Sequence, residues 1–370
     1  MRFRARSCCR RASPAPRRRS RPVVLVAFLL ALAAPAAAQT WPGTQWSSVA
    51  PAAVGMDPTR TAAALAYGSS RAGSGILIRA GKRFGHWGSQ STLYAMRSTT
   101  KSIGSILIGI AIKEKRITLD NLLTGRVPSF GVPPQSNLAH GWLPGITVRQ
   151  LATQTAGFAK TGGFGELLFE PGTGWYYSDG GPNWIADLLT VKFSQDLQTV
   201  LRTHVLAPLG IRNDQVVWRR NAYRPPTLQG FERREFGSGI STSVDVMARL
   251  GLMLLRDGRW QTTRILPAGF AALAGRPADG LGSLPCLDPD PKKCPGATNQ
   301  YGILFWTNGD GHVPDLPHDA YWAVGQGTSF ILIAPSLDIV AARAGPDWPG
   351  PANIHLTDAS FSLVSQAVNH

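Results

Sequence analysis

Apolar positions recur most regularly behind Ser98. Ile103, Ile106, Leu107, Ile110 and Ala111 fall at i, i+3, i+4, i+7 and i+8, one face of a helix with a 3.6-residue period. The spacing predicts a helix that opens at Ser98 and ends near Lys115. Similar patterns predict helices over 59–67 (capped by Asp57-Pro58), 147–157 (stopped by Gly157), 182–193, 197–205, 245–255 and 357–368. Two short apolar runs around Ala80-Gly81-Lys82 read as a β-hairpin. Late strands are expected over 301–307, over 321–334 with a glycine break at 325–327, and over 339–344. Strands near both ends, helices between them and no βαβ repeat predict an α+β chain. Its antiparallel sheet is flanked by helices and carries an inserted, mostly helical lobe over about 117–300.

The first residues are patterned differently. Nine arginines and no acid fill residues 1–21, an almost wholly apolar run covers 23–33, and Ala36-Ala37-Ala38 precedes Gln39. This is the layout of a secretory signal peptide over 1–38, cleaved after Ala38, and the apolar run is too short for a membrane span. The expected mature domain is 39–370, periplasmic or secreted, with no stable membrane insertion; the Sec and twin-arginine routes both stay open. Losing those arginines lowers the formal charge from +16 to +7. With no basic stripe interleaved with aromatics, nucleic acid is not an expected partner. Cys286 and Cys294 remain in the mature chain, and an oxidising compartment predicts a local disulfide between them.

Ser98 and Lys101 lie three apart at the start of a predicted helix, so the lysine amine reaches the serine hydroxyl. A serine needs a base to become a nucleophile, and a lysine serves where burial or a neighbouring cation lowers its pKa. The helix N-terminus favours a developing oxyanion. A second stretch, Pro171-Gly-Thr-Gly-Trp175-Tyr-Tyr177-Ser178-Asp179, presents a tyrosine able to relay a proton to a leaving group. Asp179 is expected to hold Lys101 or the substrate. In a third, Ala323-Val324-Gly325-Gln326-Gly327, glycines inside a strand mark close backbone approach, and Gln326 N–H is the expected second oxyanion donor beside that of Ser98. Gly325, Trp175 and Trp322 are candidate substrate-binding or supporting residues, with Trp306 a further wall; the three tryptophans read more readily as buried core aromatics. Asp310, His312, Asp315, His318 and Asp319 crowd one loop without metal-ligand spacing, so neither metal nor cofactor is expected. His-Glu-x-x-His and Gly-x-Ser-x-Gly are absent.

Together these stretches resemble the serine β-lactamase and penicillin-binding-protein superfamily, in its class C β-lactamase-related branch. Ser98-Thr-Thr-Lys101 matches the first motif, and Tyr177-Ser178-Asp179 stands in the place of Tyr-x-Asn. The segments from Ile146, Glu170-Pro-Gly-Thr and Gly237-Ser-Gly-Ile-Ser-Thr also resemble the family, over roughly residues 54–344. The resemblance implies a two-lobed β-lactamase-like fold and acyl transfer through Ser98, Lys101 and Tyr177 on a small ester or amide substrate. Two departures qualify it. Ala323-Val324-Gly325 replaces Lys-Thr-Gly or His-x-Gly, so the cation that meets a β-lactam carboxylate is missing. Asp179 replaces Asn, which is expected to disfavour anionic substrates. The pattern is nearer the esterase and 6-aminohexanoate-dimer hydrolase members. A β-lactamase or D-Ala-D-Ala carboxypeptidase, and a non-catalytic envelope-binding module of the same fold, are the rival readings.

Overall fold

The turn at Ala80-Gly81 closes the first hairpin. Strands β1 (Ser74–Arg79) and β2 (Lys82–Trp87) pair antiparallel, and Ala80 and Gly81 take φ of 52° and 72°, as a tight two-residue hairpin turn requires. The computed structural model describes residues 39–70, 72–289, 294, 298–346 and 357–369. The expected signal peptide lies outside the described residues.

Four late strands complete the main sheet: β3 (Trp306–Thr307), β4 (Tyr321–Gly325), β5 (Ser329–Ala334) and β6 (Ile339–Ala344). The order is β3-β4-β5-β6-β1-β2, antiparallel throughout. The early hairpin therefore docks against the last strand, with Ile76 opposite Ala342. The fold is the expected α+β arrangement. One detail differs: 321–334 is not a single strand with a break but a hairpin. Gly325 pairs with Ser329, and the chain reverses through Gln326, Gly327 and Thr328, the last two at φ 86° and 56°. Apolar alternation does not tell a bent strand from a reversed one. The strand expected over 301–307 shortens to β3, with Tyr301 bridging to Trp306.

Side chains alternate across the sheet. Ile76, Ile78, Ile331, Ile333, Val340 and Ala342 join one core, and Leu77, Phe330, Leu332, Ile339 and Ala341 the other. Helix α1 (Pro58–Ser69), capped by Asp57 accepting from Arg60 N at 2.7 Å, packs against β2 and against the C-terminal helix α5 (Asp358–Gln366). From α5, Phe361 meets Trp322 and Phe330 at 5.2 and 5.0 Å. The other face is covered by α2 (Thr99–Lys113) on β4 and β5, and by α4 (Val244–Leu255) on β1, β5 and β6. Every residue from Thr99 to Ala111 is buried, because α2 lies between the sheet and α3 (Gly180–Phe193). A helix apolar on all sides belongs in such a place.

The helix expected over 147–157 is only one turn, Val148–Ala152, opened by a reciprocal Thr147–Gln150 capping box. It ends early because Gln154 turns to φ 66° and spends its amide on Ser178, accepting from its N at 3.0 Å and donating to its O at 3.1 Å. That clamp holds the Tyr177 stretch. Cys286 and Cys294 form the expected disulfide, their Cα atoms 5.9 Å apart. Among the described residues no helix is long and apolar enough to cross a membrane.

Candidate active site

Ser98 stands at the N-cap of α2 but makes no capping hydrogen bond with its side chain, the usual use of a serine there. Its hydroxyl faces Lys101 instead, which donates to Ser98 Oγ at 3.1 Å. Arg97, just before, has φ 50°. That sparsely populated conformation for an arginine turns the chain sharply into the helix. The end of β4 presses on this turn: a Cβ on Gly325 would lie 2.2 Å from Met96 O and 3.0 Å from Ser98 N. This is the close backbone approach that the glycine predicts. Gln326 follows at the exposed tip of the β4–β5 turn.

Lys101 is 1 % exposed. An ammonium has three donors and no acceptor, and here they go to Ser98 Oγ, to Gly237 O at 2.9 Å and to the Asp179 carboxylate. Burial pulls the lysine pKa down, but the charge and hydrogen bond of Asp179, with Tyr177 and Glu235, outweigh it, and the net shift is upward. For Asp179, burial pushes up, while the Lys101 charge and hydrogen bond, then Lys160 and Arg219, bring the carboxyl below its usual range. The resting pair is therefore an ammonium and a carboxylate. Burial alone does not free the Lys101 lone pair, because Asp179 supplies the opposite charge.

Gly237 reaches Lys101 through a small three-stranded sheet. Ile240–Thr242 pairs with Tyr94–Ala95 and Val216–Trp218, and Met96 N donates to Ile240 O at 2.8 Å. Thus the segment before Ser98 is tied directly to the one after Gly237. Glu235 shapes the turn between: its Oε1 accepts from Gly237 N at 2.9 Å and Asn183 Nδ2 at 3.4 Å. Burial, then the charge of Asp179, raises the Glu235 carboxyl pKa.

Below this turn lies a buried ion triad. Asp187, on α3, meets Arg224 at 3.1 Å and Arg233 at 3.0 Å. The Arg224 guanidinium sits 4.3 Å from the Trp184 ring and 4.8 Å from Phe164, and burial pushes its pKa down to about 10. Burial also raises the Asp187 carboxyl. The triad fastens residues 224–233 to α3, which opens with Gly180, directly after Asp179.

Tyr177 is half-buried, with Lys101 Nζ 4.8 Å and Lys160 Nζ 4.6 Å from its ring centre. It packs on Trp306 at 5.6 Å, Tyr301 at 6.1 Å and the fully buried Trp175 at 6.2 Å. Trp175 and Trp306 are thus supports for Tyr177. The structure does not bring Trp322 to the site: it is buried against Phe361 and His312, while its cross-strand partner Trp306 takes the place beside Tyr177. That corrects its expected place as a substrate wall. The Asp310 loop is occupied by its own turns: Asp310 meets His312 Nδ1 at 2.7 Å, His318 Nδ1 meets Gly309 O at 3.1 Å, and Asp319 accepts from Ser336 N at 2.9 Å.

Ser98, Lys101, Tyr177, Asp179 and Gly325 therefore converge. Sequence reasoning missed Gly237, Glu235, Lys160 and the Asp187 triad. An acidic residue inside the apolar stretch 182–193 was the available signal for the triad; the others come together only through tertiary pairing.

The Beta-lactamase family pattern matches residues 52–344. No curated protein matches the chain significantly. Among solved structures, the fold is similar to EstCE1, described as a hydrolase with promiscuous acyltransferase activity (15% identity, 84% of this chain and 98% of that one, TM-score 0.62). It is similar to a Bacillus anthracis protein provisionally assigned as a 6-aminohexanoate-dimer hydrolase (14% identity, 80% and 79% covered, TM-score 0.61). A D-stereospecific amidohydrolase from Streptomyces sp. is also similar (14% identity, 84% and 98% covered, TM-score 0.58).

Proposed function

The chain belongs to the Beta-lactamase family, and from that membership we propose that it is a secreted or periplasmic serine hydrolase that cleaves an ester or linear amide through a Ser98 acyl-enzyme. The observation that carries this reading is the Lys101–Ser98 hydrogen bond of 3.1 Å, with the lysine buried and held by Asp179 and Gly237. A serine placed only to cap α2 would not engage an interior lysine.

In the proposed reaction, Lys101 first loses a proton to solvent by way of the part-exposed Asp179, which ends as a carboxylate, and the Lys101 lone pair is freed. Ser98 Oγ attacks the carbonyl carbon as its proton passes into the Lys101–Tyr177 pair, the two sharing the base role. The carbonyl oxygen becomes an oxyanion between the Ser98 and Gln326 N–H groups. The bond to the leaving group breaks as the Tyr177 hydroxyl protonates it, so the net path of the proton is from Ser98 to the leaving oxygen or nitrogen. Water then attacks the acyl-enzyme, gives its proton to the same pair and releases the acid, restoring Ser98.

Ala323, in place of the third-motif cation, is fully buried, which favours esters and linear amides over β-lactams. The test is paired turnover of a short-chain p-nitrophenyl ester and a chromogenic cephalosporin. Ester turnover that Ser98→Ala abolishes, with the cephalosporin untouched, supports the reading. Fast cephalosporin turnover moves the protein to the β-lactamases, and a fluorophosphonate that fails to label the folded protein favours the envelope-binding module.

A further inference from the structure

We infer that Lys160 and Arg219 form a cationic rim that recognises a carboxylate on the substrate, so that the preferred substrates are anionic esters or amides. The inference rests on the serine hydrolase reading and names the substrate class of that site.

Three observations carry it. Lys160 and Lys101 share one ring, at 4.6 and 4.8 Å from the Tyr177 centre. Lys101 is buried and Lys160 is exposed, so Lys160 carries its charge to the solvent side of the same tyrosine. Arg219, also exposed, donates to Ser238 Oγ at 2.9 Å, next to the Gly237 carbonyl that holds Lys101. The two cations thus sit on separate loops, Lys160 over a ring that Lys101 also approaches and Arg219 on the residue after Gly237. Each also acts on Asp179 at a distance and helps keep it ionised.

The two carboxylates nearest Lys101 are engaged by other groups. Asp179 is paired with Lys101, and Glu235 is 1 % exposed, with Oε1 used by Gly237 and Asn183. Asp179 in place of Asn therefore does not repel an anion, which revises the expectation drawn from the sequence. An incoming carboxylate meets the exposed Lys160 and Arg219, while Asp179 is paired with Lys101 and Glu235 is buried. Charge-assisted hydrogen bonds from lysine and arginine are the stronger kind, and arginine offers a carboxylate two parallel donors.

The experiment compares mono-p-nitrophenyl esters of succinic through adipic acid with neutral p-nitrophenyl alkanoates of matching length, the uncatalysed rates subtracted. Wild type should favour one of the anionic esters in kcat/KM by about tenfold at low salt, and added salt should shrink that preference. Lys160→Gln and Arg219→Gln should each cut the anionic-to-neutral ratio about fivefold, mainly through KM. A second arm uses Ser98→Ala and calorimetry to compare the monoamide of the same diacid with the corresponding neutral amide. Hydrolysis of all esters without anionic preference overturns the rim and leaves the hydrolase reading standing. Tighter binding of the anionic amide with no ester turnover in wild type keeps the rim and overturns the hydrolase reading. Equal binding of the two amides overturns the rim whatever the turnover.

Discussion

Lys101 and Asp179 form an ion pair behind Ser98, the lysine 1 % and the carboxylate side chain 25 % exposed. Each holds the other charged against burial, as the upward shift of the lysine and the downward shift of the carboxyl show. A site that needs the lysine lone pair must first draw a proton away from this pair, so in the proposed mechanism Asp179 sets the pH at which Ser98 becomes reactive.

Replacing Asp179 by Asn, the residue expected at this place in the family, removes the group that raises the lysine pKa. Burial then dominates and lowers it. The rising limb of the kcat/KM profile should move to lower pH in Asp179→Asn, read with a neutral ester across the pH range. A limb that stays in place would show that Lys101 is not the group being titrated.

The same pair sets a stability window. The Asp179 pKa is depressed in the folded protein, so its contribution is present above the ordinary carboxylate value of about 3.9 and is lost as pH falls through the folded value. The Lys101 pKa is raised, so its contribution is present below about 10.4 and is lost as pH rises through the folded value. Asp187 and Glu235 have raised values and act oppositely at the acid end, which makes a difference measurement necessary. Urea midpoints of wild type and Asp179→Asn should differ at neutral pH and converge as pH falls below about 4.

The hairpin, the sheet built from both ends of the chain and α2 were legible in the sequence because short-range patterns decide them. Ala80-Gly81 names its own turn, and the apolar period behind Ser98 names its helix. Ser98, Lys101, Tyr177 and Asp179 were legible because each motif is a local run. What was not legible depends on pairing across long separations. Gly237 lies 136 residues from Lys101, and only the pairing of Ile240–Thr242 with Tyr94–Ala95 brings it there. Trp322 was misplaced for a related reason: nothing local to its strand shows that Phe361, from the far end of the chain, packs against it.

Asp187 should be structurally costly to change. Asp187→Ala leaves Arg224 and Arg233 buried without their carboxylate, and breaking a buried pair in this way costs about 3–5 kcal/mol. Chemical denaturation measures the loss. A change below about 1 kcal/mol, the range of exposed pairs, would mean that the triad does not hold residues 224–233 to α3.

Gly325→Ala should reduce turnover more than stability. The added Cβ meets backbone at 2.2 Å, so β4 must retreat from Ser98 and carry Gln326 with it. Losing an oxyanion donor costs about 10²–10³ in kcat. A variant that folds and keeps kcat within about threefold of wild type would rule out the β4 edge as an oxyanion donor.

The most direct test of the central claim is ester turnover by the mature protein beside Ser98→Ala, read together with intact-mass analysis after a fluorophosphonate. The account predicts turnover and a single covalent adduct in wild type, and neither in the variant. Turnover that survives in Ser98→Ala, or an adduct on another residue, would contradict it.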